Sequence, residues 1–195
     1  LGIAIDFGTK DNKVISFASG YFGFLGTAEK TAAQIKKELY DLACNANVTV
    51  AGEKVYIGVS GLSENMEAAL AIIEDKIANV KGDDAVLANY KGNIFRQRIN
   101  SKTNQRACYS MLTQYVNYGK NNNATNVLSN QEIQALTSEQ LLSEIKNALG
   151  YEQTITYYGP MAMEEVIAIV DKHHNIPEKL EKYPKKEDVK LQVVD

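Results

Sequence analysis

Residues 47–61 switch the hydrophobic period of the chain from about 3.6 to 2, and that switch narrows the folds open to it. Val48 and Val50 alternate with polar neighbours up to the turn signal Ala51, Gly52, Glu53 and Lys54. Val55, Ile57 and Val59 then alternate with Tyr56, Gly58 and Ser60. Such alternation describes an antiparallel hairpin with one face on a core. Helical spacing flanks it on both sides. Before it, Thr31 and Gln34 form a capping box that opens a helix with Ala32, Ile35, Leu39 and Leu42 on one face. After it, Met66, Leu70, Ile73 and Ile77 make the next stripe, with Ser63 as its expected N-cap.

The remaining pattern extends this alternation of types. Residues 1–7 read as a strand closed by Gly8 and Thr9, and residues 12–24 as a helix that Gly20 and Gly23 weaken. A longer helical region carries Leu87, Tyr90, Ile94 and Phe95, falters over residues 100–103, and resumes with Ala107, Cys108, Met111, Leu112 and Tyr115. Gly119 and the polar run 121–123 end it. Thr137 and Gln140 open a second capping box, with Leu141, Ile145 and Leu149 inward and Gly150 as the stop. Residues 153–158 read as a strand and 161–172 as a last helix. The order predicts an α+β fold, an antiparallel (mixed) sheet backed by helices, with residues 1–174 as a single domain. Residues 175–195 form a Pro/Lys/Glu tail leading toward a linker or neighbouring domain, with a possible last strand over 189–193.

At 195 residues the chain is long enough to bury about 70% of its unfolded surface without a disulfide or metal. A net charge of −3 gives no electrostatic case for nucleic acid. No apolar run approaches the ~20 residues of a membrane-spanning helix, and the composition is that of a soluble protein. The start Leu1, Gly2, Ile3, Ala4, Ile5 has neither a basic leader nor an initiator Met, and reads as an excision point in a longer protein. Any targeting signal would lie outside it, which leaves the compartment unknown.

Few residues suggest chemistry. Cys44 and Cys108 fall on apolar sides of predicted helices and are expected to be small buried thiols. The histidines, His173 and His174, are adjacent at a helix end. They point about 100° apart, poorly placed for one metal, and a helix C-terminus favours their charge. Lys91, Arg96, Arg98, Lys102 and Arg106 read as a solvated helix face or a contact for an acidic neighbouring domain. Glu64, Glu67, Glu74 and Asp75 are expected to face solvent, as are Glu132, Glu164 and Glu165. The residues thus nominate no catalytic, cofactor-binding or metal-binding set.

One stretch carries a resemblance. Phe17, Ala18, Ser19, Gly20, Tyr21 and Phe22 lead into Gly23, Phe24, Leu25, Gly26 and Thr27, with a new helix at Thr31. This segment resembles the insulinase (pitrilysin-like) zinc metallopeptidases, in which His-x-x-Glu-His precedes a Phe-x-Gly-Thr segment. Two His ligands and a water-activating Glu sit one helical turn apart there. Here Phe17, Gly20 and Tyr21 take those places. The family's third ligand is a later Glu, and the matching residues 93–102 hold no acid. The hairpin, the helix after it and residues 126–142 also resemble the family in order and spacing.

The resemblance implies a non-catalytic, substrate-enclosing domain of a multidomain peptidase acting on peptides. It implies that this domain is not an enzyme by itself. Zinc is expected in a different, catalytic domain of the same chain or of a companion subunit. The alternative is a proteolytically silent scaffold or interaction subunit that retains the fold.

Overall fold

The computed structural model describes residues 1–120, 122, 124–177 and 179–182. They fall into two compact units, one of residues 1–83 with 138–182 and one of residues 84–137. The first unit is built on strands β1 (Gly2–Ile5), β2 (Cys44–Ala51), β3 (Lys54–Gly61) and β4 (Gln153–Thr156). Their order is β2-β3-β1-β4, with every pairing antiparallel. The fold is therefore α+β, as the period switch implies.

Register explains the core. Val48 lies opposite Ile57, Ile57 opposite Ile3, and Ile3 opposite Ile155, so one row of apolar side chains crosses the whole sheet. Because side chains alternate faces, Ile5, Val55 and Val59 join Ile3 and Ile57 on the buried side. Helices α1 (Lys13–Phe22), α2 (Ala32–Asp41) and α3 (Met66–Asn79) pack on the sheet. Asn12 caps α1 by accepting from the Val14 N–H, and the capping box of Thr31 and Gln34 opens α2.

Three helices make the second unit: α4 (Asp84–Thr103), α5 (Gln105–Tyr118) and α6 (Asn130–Ala135). Within it, the Lys91 ammonium donates to the carbonyls of Gln134 (3.0 Å) and Leu136 (2.7 Å). The Arg98 guanidinium donates to Asn130 Oδ1 (2.6 Å) and the Leu128 carbonyl (2.7 Å). The chain then returns to the first unit with α7 (Ser138–Ala148), packed on α1, and α8 (Met163–His173), packed on α3.

Several sequence expectations need correction. Cys44 is the first residue of β2 rather than part of a helix, and it is half-buried. Ser63 does not cap α3; it starts a single 3₁₀ turn, Ser63–Asn65, that leads into the helix. Cys108 lies on α5 but is exposed, because α5 buries none of its side chains. Lys91 and Arg98 are cross-links between backbone segments, not a purely solvated face. Glu132 is exposed but has a job: it completes a capping box with Ser129 at the start of α6. The strand expected at 189–193 lies outside the described residues.

Candidate functional site

Helix α1 sets the Phe17–Tyr21 segment against the core, and its side chains are committed to packing. Phe17 and Tyr21 are buried, Tyr21 completely. The Tyr21 hydroxyl donates to the Asp83 carbonyl oxygen and accepts from the Asp83 N–H, both at 2.8 Å. It also lies 3.0 Å from Ser138 Oγ at the start of α7. Two positions earlier, Ser19 donates to the Val48 carbonyl of β2 at 2.8 Å. A benzyl group, a glycine and an engaged phenol do not supply the nitrogen and carboxylate donors that zinc takes. Residues 93–102, where the third ligand would fall, lie within α4 and add no carboxylate. Among the described residues no three His, Cys, Asp or Glu side chains cluster as a metal would require.

The histidines find carboxylates instead. His173 Nε2 lies 2.9 Å from Glu67 Oε1, and Lys172 donates to the same oxygen at 2.7 Å. Hydrogen bonds from these two groups hold the Glu67 carboxyl below the usual carboxylate range. His174 is buried, with Nδ1 2.8 Å from Glu74 Oε1 and Nε2 2.8 Å from Gln153 Oε1. Glu74 is only 8% exposed, so the expectation that it faces solvent is wrong. The heptad step from Glu67 to Glu74 puts both glutamates of α3 under the end of α8. Glu64 and Asp75 are exposed, as are Glu164 and Glu165. The pair thus fastens α8 to α3 and β4.

A groove of about 500 Å³ opens between the end of α1, one face of α2, β2 and α3. Ile35, Leu39, Val48 and Ile73 make its wall apolar, and Lys76 of α3 reaches into it. The Lys76 ammonium sits 4.4 Å from the centroid of the Phe22 ring. Sequence reading missed this lysine, although a signal was present: Ala69, Ile73 and Lys76 follow helical spacing, so a cation occupies a slot on the inward face.

No family model matches the sequence, and no curated protein matches it. Solved structures do resemble the fold. The periplasmic protease PqqL from Escherichia coli superposes with a TM-score of 0.70 at 13% identity, over 92% of this chain and 20% of that one. The ferredoxin protease FusC, solved as a variant in complex with Arabidopsis ferredoxin, gives 0.75 at 12% identity, over 98% and 21%. A peptidase M16 inactive domain from Pseudomonas fluorescens gives 0.70 at 16% identity, over 92% and 47%. The chain spans about one fifth of the two proteases and just under half of the third structure. Its fold is that of an M16 peptidase domain.

Proposed function

We propose that the chain is a non-catalytic, substrate-enclosing domain of a multidomain insulinase-like zinc metallopeptidase acting on peptides. One observation carries the reading: nearly all of this chain corresponds in fold to about a fifth of each large protease, while its α1 lacks the zinc donor set. A domain of this kind contributes a wall, and a catalytic companion in the same polypeptide or another subunit contributes the metal. The apolar side chains exposed on α5 suit it, because surfaces of that type are interface material. Tyr109, Met111, Leu112, Val116 and Tyr118 are each at least half exposed.

The test is metal analysis and a peptidase assay on the purified chain. After dialysis against zinc the expected content is far below one ion per chain, with no cleavage of fluorogenic peptides. One zinc per chain, together with chelator-sensitive hydrolysis that follows the protein through further purification, would sink the proposal. Activity that appears only on adding a zinc-bearing companion domain would strengthen it.

A further inference from the structure

The groove between α2, β2 and α3 contains a charge that no side chain among the described residues compensates. Lys76 is 7% exposed, and its amine carries three N–H donors. Among the described residues no carboxylate pairs with it and no oxygen accepts from it; its one specific contact is the face of the Phe22 ring. Among the described residues the charged side chain acting on it is another cation, Lys36, which is exposed and lines the same groove. The Phe22 ring attracts the cation but offers no oxygen to its N–H donors, so the stem of Lys76 is buried while its amine faces the groove. Burial, with the Lys36 charge adding to it, draws the Lys76 ammonium down to about 8.

The surroundings define what would relieve this. About 500 Å³ lies within the range of small-ligand sites, roughly 300–1,000 Å³. The wall is mostly hydrocarbon, so a small polar anion would satisfy the amine and leave the apolar lining idle. A neutral hydrocarbon would do the reverse. We propose that this groove binds an amphiphilic monocarboxylate of medium chain length, its carboxylate on the Lys76 ammonium and its hydrocarbon against Phe22, Ile35, Leu39 and Ile73. Lys36 adds a second positive charge for the head group. The inference stands on the groove alone and holds whether or not the chain belongs to a peptidase.

The probe is decanoate, titrated calorimetrically into the full chain below its micelle concentration, with decanol and acetate as controls. One decanoate per chain is expected, bound at least about tenfold more tightly than decanol, with acetate showing no saturable binding. Lys76→Met should abolish the advantage of decanoate over decanol while Lys76→Arg keeps most of it. Lys36→Gln, a surface change that leaves packing intact, should weaken decanoate about threefold and leave decanol unchanged. Equal affinity for acid and alcohol, an undiminished preference in Lys76→Met, or no saturable binding of decanoate would overturn the proposal. In the last case Lys76 does no more than cover Phe22.

Discussion

Helices α3 and α5 are each 14 residues long and each carries an apolar stripe, yet the first is core and the second is surface. In α3, Met66, Ala69, Leu70, Ile73 and Ile77 are buried, and so are the polar Glu74 and Lys76. In α5, Met111 is 50% exposed, Leu112 60% and Val116 64%. Periodicity states which side of a helix is apolar. It says nothing of whether another layer covers that side. What distinguishes α3 is the hairpin next to it in sequence: β2 and β3 present a two-residue alternation that needs a partner, and α3 is at hand. No strand adjoins α5 among the described residues.

The largest effect that could break this contrast is a cavity. Leu70→Ala in α3 should cost about 3 kcal/mol in urea unfolding, since Leu70 is wholly buried. A loss under about 1 kcal/mol would mean that α3 is far looser than its burial implies.

Next comes the polar pair beneath α8. Glu74→Leu removes the partner of a buried imidazole nitrogen and should destabilise by about 2 kcal/mol, whereas Glu64→Leu should change little. Equal effects at both sites would contradict the contact with His174.

Lys76 sharpens the contrast with a smaller effect and a defined sign. Its folded-state pKa is about 8, against an ordinary lysine value of 10.5. Between those values the unfolded chain binds more protons than the folded one, so this residue makes stability rise with pH over that window. Below about pH 8 its charge must stay buried in the native state and the contribution is fully unfavourable. Lys76→Met should remove the alkaline rise and stabilise the protein at pH 7 by up to about 1 kcal/mol. Unfolding midpoints measured from pH 7 to 10.5 decide it; an unchanged slope in the variant would refute the assignment.

The smallest effect belongs to α5. Leu112→Ser should move stability by no more than about 0.5 kcal/mol at low protein concentration. Cys108 should react with a thiol reagent in the native state well before Cys44. A Leu112→Ser cost of 2 kcal/mol, or a protected Cys108, would show that something covers this helix.

Much of the fold was legible because its signals are local. The hairpin, the Thr31 cap, the break between α4 and α5 and the α7 start each depend on residues a few positions apart. Cys44 was misplaced because helix α2 gives way to β2 at Ala43, whose positive φ of 50° turns the chain where only polar and small residues mark the change. Glu74 could not be read as buried, since its partner is a hundred residues away and acid–His attraction leaves no mark in spacing. The absence of zinc donors at Phe17, Gly20 and Tyr21 was legible letter by letter; the engagement of Tyr21 with Asp83 and Ser138 was not.

That engagement has a topological consequence. Asp83 is the last residue before the chain departs into the second unit, and Ser138 is the first after its return. A single phenol oxygen on α1 touches both. Residues 84–137 therefore behave as a cassette whose two seams meet at one hydroxyl. A short Gly/Ser link joining Asp83 to Ser138 would therefore bridge two points that already meet at the Tyr21 hydroxyl.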